Sequence, residues 1–105
     1  MSSKEIQLTQ AIINRNYDNV NTLLKESDIE EWINKQVLKN QLQNHRLPVS
    51  FDWMTAIGEA CSDATFTIMQ KVVDAGANLY NINSNGHTAL TWACLHNTDT
   101  LQNKF

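Results

Sequence analysis

Apolar side chains recur along the first quarter of the chain at helical spacing. Leu8, Ala11, Val20, Leu23 and Leu24 fit a pair of helices near residues 4–15 and 17–26, with Asn14 to Asp18 as the tight turn between them. A second pair is written into residues 55–75. Ile57, Ala60 and Cys61 stand at i, i+3 and i+4 of a short helix that Thr55 can cap. Ile68, Val72 and Val73 mark the next helix, near Phe66 to Ala75, and Gly76 sits where a left-handed C-cap is wanted. The following stretch, Asn78 to Gly86, is rich in turn formers and ends on Asn85-Gly86, a strong turn signal.

Between the two pairs the pattern has two readings. Ser27-Asp28-Ile29-Glu30 has the form of a capping box. Ile29, Trp32, Ile33 and Val37 then share one helical face, which predicts an inserted helix over residues 28–44. The competing reading makes Ile33 to Gln36 part of a divergent hairpin. Pro48 disfavours helix at the residue before it, so His45 to Asp52 is expected to be a loop.

The second half also repeats itself. Residues 55–72 align with residues 88–105 at a spacing of 33, with seven identities in 18 positions. These are Thr55/Thr88, Ala56/Ala89, Ala60/Ala93, Cys61/Cys94, Thr65/Thr98, Thr67/Thr100 and Lys71/Lys104. Ile57/Leu90, Ile68/Leu101 and Val72/Phe105 stay apolar. From Leu8 to Ile57, at equivalent positions, the distance is 49 residues, 16 more than one period.

Asp74-Ala75-Gly76-Ala77-Asn78-Leu79, then Asn83-Ser84-Asn85-Gly86-His87-Thr88-Ala89-Leu90 and Ala93-Cys94, resembles the ankyrin repeat, whose pattern is T-P-L-H-x-A-A, an L-L helix, G-A-D-V-N and D-x-x-G before the next T. The resemblance covers residues 52–97. Ala56 and Ala89 stand where the family has Pro, and Gly58 and Thr91 where it has the His that ties neighbouring repeats together. The resemblance implies an all-α chain of helix-turn-helix repeats, stacked as a short solenoid with a hairpin finger. One domain is then divided into a degenerate repeat (4–27), an inserted helix and loop (28–51), a repeat (52–84) and a partial repeat (85–105).

Composition narrows the function classes. The 105 residues suffice for one small domain, 42% of them apolar, with 8 basic and 11 acidic side chains. Residues 1–50 hold six of each sign, so the net charge of −3 belongs to the C-terminal half. That balance argues against nucleic-acid binding. No apolar run reaches the roughly 18 residues of a membrane span, and the first ten residues lack a signal-peptide pattern. Two cysteines cannot make a multi-bridge framework, which favours a reducing, cytoplasmic setting. Asn is frequent, at 13 of 105 residues, and suits turns and helix ends.

Catalytic and metal chemistry find little footing. Equivalent helices in a stack lie roughly 8–10 Å apart, whereas a disulfide needs Cα atoms within about 7 Å. Cys61 and Cys94 are therefore expected in the core as unpaired, unreactive thiols. Cys94 and His96, two apart on a helix, do not face one another. No metal, cofactor, small-molecule substrate or catalytic residue is expected, and the chain is read as a non-enzyme.

What remains is a protein-interaction module. In ankyrin repeats the contact surface is built from hairpin tips and the exposed side of each first helix. By position, the resemblance assigns Ile82, Ser84, Asn85 and His87 from the finger, Trp92, Leu95 and His96 from the third repeat, and Glu59 and Asp63 from the second. The alternative is a regulatory or targeting piece of a longer protein whose catalytic domain lies elsewhere, including one delivered into a host cell. In the repeat register Phe105 matches Val72, so the last helix ends before its expected cap, and the chain is expected to continue or to meet another chain at that edge.

Overall fold

A computed structural model of the chain describes residues 3–88 and Thr91. Among them the protein is mostly helical, with five helices and a two-stranded sheet. The helices are α1 (Lys4–Ile13), α2 (Tyr17–Leu23), α3 (Ile29–Trp32), α4 (Ala56–Asp63) and α5 (Phe66–Asp74); the strands are β1 (Val37–Leu38) and β2 (Trp53–Met54).

The predicted first pair forms as α1 and α2, each two or three residues shorter at its C-terminus than expected. The turn between them is a Schellman closure, with the Arg15 N–H donating to Ile12 O at 3.1 Å and the Asn16 N–H to Ala11 O at 2.9 Å. Arg15 takes the left-handed conformation, φ 57°, that glycine usually fills there. Asn16 then caps α2 by accepting from the Asn19 N–H. The α5 terminus closes the same way around Gly76, φ 108°, as the sequence predicts, with Gly76 N–H to Val73 O and Ala77 N–H to Val72 O.

α1 packs against both α2 and α4, and α4 against α5. Two helix pairs thus lie side by side, and the Lys71 ammonium of α5 donates to the Asn21 carboxamide of α2 at 2.9 Å across the junction. Leu8, Ile12, Val20, Ile57, Ala60, Ile68 and Val72 form the core between them. Cys61 is buried there, as its place on the α4 face predicts; Cys94 lies outside the described residues.

The inserted helix over 28–44 does not form. Only one turn, α3, is helical. The capping box is also absent, because the N-cap is Asp28, whose side chain makes no cap bond. Its carboxylate instead accepts from Lys4 Nζ at 2.9 Å on both oxygens and from Trp32 Nε1 at 3.1 Å. Trp32 and Ile33 are buried, and the chain then turns to extended backbone. Val37 pairs with Met54 and Leu38 with Trp53 in antiparallel register, so the fold is not purely α. The divergent-hairpin alternative is closer to what forms. The reason lies in Asn34, whose carboxamide donates to Gly76 O at 3.1 Å and accepts from the Asn78 N–H, holding residues 33–36 as a loop beside the end of α5.

Lys4 and Asp28 tie the start of α1 to α3. Hydrogen bonding to Lys4, then to Trp32, holds the Asp28 carboxyl below its ordinary 3.8; hydrogen bonding to Asp28 raises Lys4 above 10.5. Asp28 therefore adds stability that is present above its unfolded value and lost as pH falls through the lower folded one, and Lys4 adds stability lost only as pH rises through its raised value. Asp28→Asn keeps an oxygen for Trp32 and removes the acid dependence. The gap between wild-type and variant urea midpoints is expected to close between about pH 5 and pH 2.

A second expectation comes from Gly58, in the first turn of α4. A Cβ there would lie 2.8 Å from Met54 Cε, 3.0 Å from the Ile82 carbonyl oxygen and 3.2 Å from Ile82 Cβ. Gly58→Ala gains about 1 kcal/mol of helix propensity but overpacks a core position, which costs about 1–3 kcal/mol. Because one obstacle is a main-chain carbonyl, the overpacking wins, and urea denaturation should show a net loss of stability.

Candidate functional site

The finger is residues 82–87, and its backbone is fixed from both sides. Its inner edge adds to β2: Met54 and Asn83 form an antiparallel bridge, the Thr55 N–H donates to Ile82 O at 3.1 Å, and the Ser84 N–H donates to Trp53 O at 3.3 Å. Ser84 Oγ accepts from the Asp52 N–H at 2.9 Å. The tip closes on itself, with Gly86 N–H to Asn83 O and Ile82 N–H to His87 O, both at 3.0 Å. Gly86 takes φ 76°, which fits the predicted Asn85-Gly86 turn.

Asn83 organises the turn. Its side chain is fully buried, and its Oδ1 accepts from the Asn85 N–H at 3.0 Å and the His87 N–H at 3.2 Å. Its amide nitrogen lies 3.3 Å from His87 Nδ1. The His87 ring stands edge-on to Phe51, with centroids 6.2 Å apart and planes at 66°. Beyond the finger, Thr88 Oγ1 accepts from the Thr91 N–H at 3.2 Å. Thr55 occupies the N-cap place of α4, but its side chain makes no cap bond.

Two of the assigned contact residues are not on the surface. Ile82 is fully buried because its carbonyl and Cβ seal against Gly58, and Glu59 is buried on α4 at 1% exposure. Neither presents a side chain to a partner. Ser84 and His87 are half-buried and Asn85 is exposed. Asp63 ends α4, but its side chain, like Trp92, Leu95 and His96, lies outside the described residues.

Sequence reasoning missed a set of exposed apolar side chains: Tyr80 at 80% and Leu79 at 42% before the finger, Val49 at 94% on the β1–β2 connection and Leu38 at 47% on β1. Their signal was present: Val49, Leu79 and Tyr80 are large apolar residues in stretches read as turn or loop, whereas Leu38 falls in the span 28–44 read as helix. Leu38 and Val49, with Leu42, His45 and Phe51, border a shallow cleft of about 470 Å³ beneath that connection.

No group of three or more metal-ligating side chains occurs among the described residues, and no helix among them is long and apolar enough to cross a membrane. Comparison with protein-family models, with curated proteins and with solved structures found no match for the chain.

The finger yields a stability prediction. Asn83→Ala leaves the main-chain N–H groups of exposed Asn85 and half-buried His87 without their side-chain acceptor, at a cost of about 1–3 kcal/mol for each that water cannot reach. A lower melting temperature, with faster hydrogen exchange at Asn85 and His87, is the expected outcome.

Proposed function

We propose that the chain is an ankyrin-like module that binds a protein partner through the finger and the repeat segment that follows it in the register. The observation that carries this reading is the finger itself. Residues 82–87 form a closed turn, bonded to β2 on one side and seated on Gly58 on the other, while Asn85 at its tip faces solvent. A rigid tip of this kind binds with little ordering cost. The spacing of 33 residues between Thr55 and Thr88 and the side-by-side packing of two helix pairs support the repeat reading.

With Ile82 and Glu59 removed, the proposed surface is Ser84, Asn85 and His87 from the finger, with Trp92, Leu95, His96 and Asp63 placed by the repeat register. Trp92 stands where the preceding repeat has Glu59, so the repeat pattern does not demand an aromatic there. Trp is enriched among residues that dominate binding energy. An apolar patch edged by His and Asp suits a partner segment with an apolar anchor beside a basic residue. This is a binding function; no catalytic role is proposed.

Crosslinking and affinity capture with the full chain, followed by titration of the captured partner, test the proposal. Trp92→Ala should weaken binding by about 2 kcal/mol while helix content stays intact. A partner indifferent to both Asn85→Ala and Trp92→Ala would sink the reading. If Trp92→Ala unfolds the chain, Trp92 is a core residue and the surface is wrong.

A further inference from the structure

A cleft of about 380 Å³ opens between α1, the α1–α2 turn and residues 41–44. Its wall is chemically uniform: eight carboxamide side chains, with Ile6 and Ala11 as the apolar part and no charged group. None of these residues belongs to the finger or to the register-placed surface.

The orientation of the amides is fixed by main-chain donors. The Gln43 N–H donates to Gln10 Oε1 at 2.8 Å, so Gln10 Nε2 turns to Gln43 O at 2.9 Å and to Asn14 Oδ1 at 3.2 Å. The Asn19 N–H donates to Asn16 Oδ1, and the Leu38 N–H to Gln41 Oε1 at 2.9 Å. The oxygens of Asn14, Asn16 and Gln41 are thus engaged within the fold. Asn14, Asn16 and Gln41 are exposed, and their amide nitrogens, each with two N–H donors, have no protein partner among the described residues. At these three positions the cleft therefore offers donors.

We infer that this cleft binds an extended, uncharged peptide segment, holding its main-chain carbonyls with the side-chain amides of Asn14, Asn16 and Gln41. An extended chain presents carbonyls at a rise of about 3.4 Å per residue and suits a row of donors. The molecule already uses this recognition on itself: Gln10 brackets the N–H and C=O of Gln43, and Asn34 brackets Gly76 O and the Asn78 N–H. A free anion would surrender hydration with no cation in the wall to offset it. A sugar would find no aromatic ring among the lining residues to cover its apolar face. The inference stands whether or not the finger binds a partner.

The test uses the full chain labelled with nitrogen-15 and follows the side-chain amide resonances of Asn14, Asn16 and Gln41. The probes are a capped Ser-Gly-Ser-Gly-Ser peptide, maltotriose and inorganic phosphate. The peptide should shift these resonances to saturation with an affinity on the order of millimolar, modest for so small a ligand. The triple variant Asn14→Asp, Asn16→Asp, Gln41→Glu replaces each NH2 by oxygen of similar size and keeps every internal acceptor. It should keep the wild-type circular dichroism and lose at least tenfold in peptide affinity. Asn16→Ser, which keeps a cap oxygen without adding charge, should lose several-fold. Saturation by maltotriose or phosphate in place of the peptide overturns the inference, as does the absence of peptide shifts at tens of millimolar. Unchanged peptide affinity in the triple variant overturns it equally.

Discussion

The structure turns on the missing side chain at Gly58. With no Cβ there, the Ile82 carbonyl approaches the first turn of α4 closely enough that an added carbon would stand 3.0 Å from it. That approach brings Ile82 O to the Thr55 N–H and sets Asn83 opposite Met54. β2 is then bonded on both flanks, by β1 and by the base of the finger, and α4 is joined to both through Thr55. A bulkier residue at 58 would push Ile82 outward and open the Thr55 bond. The finger, the sheet and the start of α4 therefore share one packing constraint.

The same constraint explains why Ile82 is buried. Register arguments place residues on faces of an idealised repeat, in which Ile82 belongs to a projecting finger and Glu59 to an exposed helix side. Here the finger's first residue is drawn down onto the helix, and Glu59 is buried as well. A glycine in a helix interior costs stability and so marks a close approach, but the sequence does not say which segment approaches.

The helix pairs were legible because their information is local. The spacing of Leu8, Ala11, Val20 and Leu23, or of Ile57, Ala60 and Cys61, needs no knowledge of the rest of the chain. Gly76 and Asn85-Gly86 were legible for the same reason, since a left-handed residue is a local demand. Residues 28–44 were misread because their apolar spacing fits a helix, while what shapes them comes from elsewhere. Lys4 takes Asp28 away from the capping role, Asn34 is bonded to residues 76 and 78, and Val37 finds Met54. Each partner is at least 17 residues away in sequence. The finger face showed the converse limit: the resemblance put Asn85 at a finger tip, where it is exposed, whereas exposed Tyr80 and Val49 were passed over as loop residues.

The abundance of Asn takes on a different meaning once the bonds are traced. Turn propensity accounts for Asn85 and, through its cap bond, for Asn16. It accounts also for Asn83, whose Oδ1 accepts from the N–H two residues on, but not for Asn34 or Gln10, which act at a distance. A carboxamide carries a donor and an acceptor on one plane, which matches a main-chain N–H and C=O without introducing charge. In a chain with only 18% charged residues, loops are held to helices by these neutral clamps, and the ion pairs among the described residues gather at Lys4. Neutral clamps resist salt screening in a way that surface ion pairs do not. They also leave amide nitrogens turned outward wherever the oxygen is the half that is engaged, which is how a scaffold built on main-chain recognition comes to present the same chemistry at its surface.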